Sequence, residues 1–181
     1  EVLVDLPAQP RNYEVFDPGP KALQTNLKIR ENIERLQWIL SRSQGYIGLS
    51  NTSGDEFFRY AAVVDPILEE ISKRGVLYLG NSQHFNSEAP FLAAKHDVVA
   101  LNGDLVVDRQ VRRQAILERL KQAEVTAKRR GMVIVFAGPY SLTLRTIADW
   151  AEGLEGVSLV PLSTIARDIA PTPRGKSSGI R

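Results

Sequence analysis

His84 and His96 are the only histidines in this chain, and there is no cysteine. Nothing in the spacing pairs the two histidines, so a three-histidine or dinuclear histidine centre is excluded by count. The lack of cysteine removes disulfides, thiolate metal sites and a thiol nucleophile together. What remains is polar and amide-rich, and it collects in three loops. Ser50-Asn51-Thr52-Ser53-Gly54-Asp55 gathers small polar side chains around a glycine. That suits a ligand met by backbone amides, or equally a capped turn that starts a helix at Asp55. The loop with Asn81, Ser82, Gln83 and His84 offers amides, a hydroxyl and an imidazole, although a loop histidine is also at home simply in water. Ala137-Gly138-Pro139-Tyr140 leads directly into a helix that Ser141 can cap. Free N–H groups there suit a carboxylate or an oxyanion, with a tight turn as the alternative. Asp104 and Asp108 flank a short strand continuation, and Asp108 reads as the N-cap of the helix that follows. A Gly-rich phosphate loop, a Gly-x-Ser-x-Gly elbow and a His-Glu-x-x-His helix are all absent from the sequence.

These loops matter because of the elements on either side. Apolar patterning predicts strands over 1–6, 46–49, 76–79, 98–101, 132–136 and 157–160. Met132-Val133-Ile134-Val135-Phe136 is an unbroken apolar run, as expected where both faces of a sheet are covered. Helices are expected over 29–42, 89–95, 109–130 and 142–154, with Ser163-Thr164 capping a last one. A further helix is expected to start at Asp65-Pro66, as N-cap and first helical residue, and to stop at Gly75. Asp17-Pro18-Gly19-Pro20 is a turn sequence. Strands alternating with helices imply an α/β protein with a largely parallel sheet, open or closed into a barrel. In either form ligands sit at the carboxyl ends of the strands, which is where the three loops fall.

The 181 residues are 43% hydrophobic and 24% charged, the balance of one globular domain. The net charge of +2 gives no case for nucleic acid. Arg174, Lys176 and Arg181 supply more than that excess, leaving the body at −1. Residues 171–181 are Pro-, Gly-, Ser- and Arg-rich and read as a flexible basic tail behind a domain over 1–170. No apolar run reaches the roughly 20 residues needed to span a bilayer. The opening Glu1-Val2-Leu3-Val4-Asp5-Leu6 begins in mid-strand, so an earlier segment is expected ahead of it.

Several stretches together resemble the divergent polysaccharide deacetylase family. They are Leu3-Val4-Asp5-Leu6-Pro7, Asp17-Pro18-Gly19-Pro20, Glu31-Asn32-Ile33 with Leu36-Gln37-Trp38, and Gly45-Tyr46-Ile47-Gly48. Further along come Arg74-Gly75-Val76-Leu77-Tyr78, Gly138-Pro139-Tyr140 and Leu159-Val160-Pro161-Leu162-Ser163. The resemblance implies a distorted (β/α) barrel of six or seven mostly parallel strands. It also implies an earlier strand that ends in a pair of aspartates. Deacetylases of this kind remove acetyl groups from sugars with a divalent metal held by Asp and His, which lowers the pKa of its bound water toward roughly 7.

This sequence departs from that pattern at the places where ligands are expected. It has Asn51-Thr52-Ser53-Gly54 in place of Asn-His-Met-Gly, Gly80-Asn81-Ser82-Gln83 in place of Asp-Ser-Arg-Thr, and Gly138 where a histidine often precedes proline. Hydroxyls and bare backbone do not replace imidazole or carboxylate at a divalent site. The expectation is a catalytically degenerate domain of the cell envelope or periplasm that uses no cofactor. Its polar cleft, made of Asn51, Thr52, Ser53, Asn81, Ser82, His84, Gly138 and Tyr140, would bind a glycan such as peptidoglycan, with Phe85 stacking on a ring. The alternative is an active deacetylase holding zinc or another divalent metal, completed by residues upstream, with Asp17, Asp55 or His84 joining the catalytic set. A third reading has envelope proteins as partners, met by the tail and by Arg112, Arg113, Lys128, Arg129 and Arg130.

Overall fold

The computed structural model describes residues 1–51, 54–81 and 88–169. Strands β1 (Leu3–Asp5), β2 (Gly48–Ser50), β3 (Leu77–Asn81) and β4 (Ala100–Gly103) form one parallel sheet in the order β1-β2-β3-β4. The register sets Asp5 beside Ser50, Ser50 beside Leu79 and Asn81 beside Gly103, which lines up the strand ends. Asp104 alone separates β4 from β5 (Leu105–Val106), and β5 pairs in parallel with β6 (Val135–Phe136). Among the described residues six α-helices accompany these strands: α1 (Ile29–Leu40), α2 (Ala61–Ser72), α3 (Ala89–Lys95), α4 (Arg113–Arg130), α5 (Ser141–Ala151) and α6 (Leu162–Ile169). The fold class is α/β with parallel strands, as the sequence implies.

Alternation along the strands builds two cores. Val4, Leu6, Leu49 and Tyr78 face outward, where α1, α2 and α3 cover them with Leu36, Val64, Ile67, Leu68 and Leu92. Leu77, Leu79 and Leu101 face the other way, onto Phe136 and onto Leu162, Ile165 and Ala166 of α6. This inner face is crowded: a Cβ on Gly103 would collide with the Phe136 ring. A third cluster, Val107, Ile116 and Leu120 with Ile147 and Trp150, joins α4 and α5 to the β5–β6 pair. The ends of the helices follow local chemistry. Lys28 N–H donates to the Glu31 carboxylate at 3.1 Å to open α1, and α4 stops at Gly131, whose φ of +85° suits only glycine well. At α6, Ser163 N–H donates to Glu1 Oε2 at 3.0 Å and its hydroxyl donates to Oε1, so the first residue of the chain closes the start of the last helix.

Several boundaries differ from the sequence reading. Helix α2 begins at Ala61 after a 3₁₀ turn over Phe57–Arg59, so Pro66 lies inside it and Asp65 caps nothing. Burial of Val64, Ile67, Leu68 and Ile71 carries the helix through the one hydrogen bond that proline cannot donate. Helix α4 begins at Arg113 rather than Arg109, and its N-cap is Arg112, not Asp108. Ser141 is the first residue of α5 and Tyr140 its N-cap. The run from Met132 to Phe136 pairs only at Val135 and Phe136, because β5 offers a two-residue partner, and its residues are half-buried or exposed rather than covered on both faces. Residues 157–160 form no strand: Leu159 is 61% exposed, and no described strand lies alongside to provide a ladder. Residues 171–181 lie outside the described residues. No helix among the described residues is long and apolar enough to cross a membrane.

Candidate functional site

The carboxyl ends of β1, β2 and β3 bring Asp5, Ser50, Asn51 and Asn81 together in register. Ser50 Oγ donates to Asp5 Oδ1 at 3.5 Å, bridging the first two strands. Asn51 is almost wholly buried; its N–H donates to the Leu79 carbonyl at 3.3 Å and its Oδ1 accepts from the Tyr78 hydroxyl at 2.7 Å. Burial pushes the Tyr78 phenol far above its usual range, so it stays a protonated donor and fixes the carboxamide of Asn51. Asn81 closes β3 and is half-buried, opposite Gly103. Of the other residues expected in this cleft, Thr52, Ser53, Ser82, His84 and the stacking candidate Phe85 lie outside the described residues.

Beyond β6 the sequence reading allowed either free helix N–H groups suited to a carboxylate or oxyanion, or a tight turn. The protein's own Asp108 sits there. Its Oδ2 accepts from Gly138 N–H at 2.7 Å and from Thr143 Oγ1 at 3.0 Å, and the residue is only 7% exposed. A negative group beside the first turn of α5 is where the helix dipole favours it. Asp108 therefore ties the first turn of α5 to the residue two before its N-cap, through the Thr143 hydroxyl and the Gly138 N–H; Tyr140 makes no side-chain cap bond. Tyr140 itself is 53% exposed, and its ring lies against Gly138: a Cβ there would stand 2.7 Å from Tyr140 Cε2.

The carboxylates named as catalytic alternatives serve the loops. Asp17 Oδ1 accepts from Gly19 N–H at 2.8 Å within its own turn. Asp55 Oδ1 accepts from Arg11 N–H at 3.1 Å, and its other oxygen stands 3.5 Å from the Arg11 guanidinium, so it pins the loop after β1 to the loop after β2. It starts a short turn that leads into Phe57–Arg59 rather than an α-helix. His96 pairs with Asp65 at 2.8 Å at the far end of α3 and takes no part in the cleft. Sequence reasoning did not single out Asp5, Tyr78 or Thr143, read Ser50 only as part of a polar loop and took Asp108 for a helix cap. Asp5 and Ser50 were legible as strand-terminal polar residues, whereas the Asp108–Gly138 contact joins residues thirty apart and has no local signal.

A divalent site wants three or more His, Cys, Asp or Glu ligands converging on one point. Among the described residues no such group exists, and the polar side chains at the ends of β1, β2 and β3 are amides, a hydroxyl and the carboxylate of Asp5. The described residues do not fit the family's metal. Two cavities adjoin the described strands, one away from this cleft and one that includes its Asp5. One, of about 430 Å³, opens at the amino ends of β3 and β4 against Ala166 and Arg167 of α6. The other, of about 360 Å³, lies beside β1, where Lys21 and Arg42 approach the Trp38 ring at 5.3 and 5.2 Å.

Comparison with known proteins gives these features a setting. The chain is similar in structure to the crystal structure of an uncharacterized protein from Agrobacterium tumefaciens C58, with a TM-score of 0.87 and 27% sequence identity over 91% of this chain and 68% of that one. No curated protein matches it. The family model for divergent polysaccharide deacetylase matches residues 1–166, nearly all of the described domain. With blocks from Leu3 to Ser163 in family order and a parallel α/β fold beneath them, the chain belongs to the divergent polysaccharide deacetylase family.

Proposed function

We propose that this domain is a glycan-binding member of its family, set in the cell envelope, that has given up metal-dependent deacetylation. The observation that carries the reading is the chemistry of the strand ends. Hydroxyl and amide side chains stand there, Ser50 and Asn51 buried and Asn81 half-buried, and the acid beside them, Asp5, accepts from Ser50 Oγ. Such groups match sugar hydroxyls and acetamido N–H and C=O groups. They are poor partners for a bare divalent ion. Tyr140, between β6 and α5, adds an exposed ring, the type of surface on which the C–H face of a pyranose stacks.

Calorimetry with zinc chloride and, separately, with the tetramer of N-acetylglucosamine tests the reading. The expected result is no stoichiometric zinc binding below about 100 μM and saturable binding of the tetramer in the micromolar to millimolar range, about 4–8 kcal/mol. Tight one-to-one zinc binding with release of acetate from the tetramer would replace the reading with an active hydrolase.

A further inference from the structure

The carboxylate of Asp108 does something other than cap a helix. A cap accepts from backbone N–H groups of the first turn, whereas Asp108 accepts from the side-chain hydroxyl of Thr143 in that turn. The second bond, to Gly138 N–H, reaches outside the helix to the residue under the Tyr140 ring. Gly138 is followed by Pro139, which restricts its backbone, and it carries no side chain. A Cβ at 138 would stand 2.7 Å from the ring and 3.1 Å from Asp108 Oδ2, so carboxylate, amide and ring all meet at one small residue. The ring is thereby set from beneath while half of its surface stays open. Fixing a contact before the ligand arrives removes part of the ordering cost of binding.

We propose that Asp108 is a positioning residue. By holding Gly138 and Thr143 it fixes the loop that presents the Tyr140 ring, which takes the apolar face of a sugar. The inference rests on the glycan-binding reading above. Asp108 touches the ligand only through this loop.

The test compares Asp108→Ala with Asp108→Asn in the full chain, by amide hydrogen exchange, NMR of the Tyr140 ring and titration with the N-acetylglucosamine tetramer. In Asp108→Ala the Gly138 amide is expected to lose at least about tenfold in protection, the ring signals to move toward those of free tyrosine, and the tetramer to bind about tenfold more weakly. Asp108→Asn keeps a carbonyl acceptor and is expected to recover much of all three. A merely structural role would lower the melting temperature in both variants and leave the ring signals where they are. Unchanged Gly138 protection and Tyr140 signals in Asp108→Ala would overturn the proposal. Should that variant fail to fold, Gly138→Ala reads the same device: its added methyl is expected to displace the ring and weaken the tetramer, and an unmoved ring overturns the proposal. Ring signals that respond as expected, in a wild-type chain that binds no tetramer, support the anchoring by Asp108 and overturn the glycan reading.

Discussion

Tyr78 shows how far one side chain can reach in a parallel sheet. Its ring packs in the outer core beside Phe58, with centroids 5.8 Å apart, while its hydroxyl crosses to hold Asn51 at the cleft. Tyr78→Phe keeps nearly all of the packing and removes only that donor. The cost is expected to be about 1–3 kcal/mol, the penalty for stripping a buried acceptor of its partner, read as a lower urea midpoint with an unchanged slope. If Asn51 orients a ligand, tetramer binding weakens in the same variant. Gly103 makes the opposite case, a residue needed for having no side chain. Gly103→Ala forces the Phe136 ring aside and is expected to destabilise the fold by about 1–3 kcal/mol in the same urea measurement.

Elements reveal what the sequence could and could not say. Helix α3 over Ala89–Lys95 and the stop of α4 at Gly131 were both legible, because a short apolar stripe and a C-terminal glycine are local signals. The start of α2 was misread because Asp65-Pro66 is a good N-terminal signal, overridden by a buried face that extends one turn earlier. Asp65 instead accepts from Lys95 Nζ at 2.9 and 3.0 Å and pairs with His96, tying α2 to the end of α3. Those bonds, Lys95 first and His96 next, hold the Asp65 carboxyl below its ordinary value. A depressed folded pKa contributes stability that is complete above the unfolded value near 3.8 and lost as pH falls through the folded one. Asp65→Asn is therefore expected to flatten the loss of stability between about pH 5 and pH 2, followed by urea midpoints across that window. The strand expected over residues 157–160 failed for a different reason. Apolar content makes a segment suitable for a sheet, but only a neighbour with free backbone groups makes it a strand, and sequence windows contain no neighbours. The candidate site was legible in part for the same reason: Asn51, Asn81, Gly138 and Tyr140 follow strands, while Asp108 acquires its meaning from a contact across the fold.

At the scale of the molecule, the inner face of the sheet is closed by Phe136 and α6, and the start of α6 is tied to Glu1. Ala166 is buried against Leu77, Leu79 and Leu101. A carboxylate there has no partner, so Ala166→Asp is expected to release α6 from the sheet, seen as a rise in binding of a hydrophobic dye and faster proteolysis near Pro161, with the outer core and its helices retained. The same closure has a bearing on recognition. Among the described residues Phe136 stands against Gly103, and α6 covers Leu77, Leu79 and Leu101, so this face of the sheet is packed rather than open. If the domain binds a glycan as proposed, strand tips and turns would then meet a saccharide from its flank rather than by its end. Binding of that kind gains strength through the number of domains meeting one polymer rather than through depth, and dissociates quickly from any single copy.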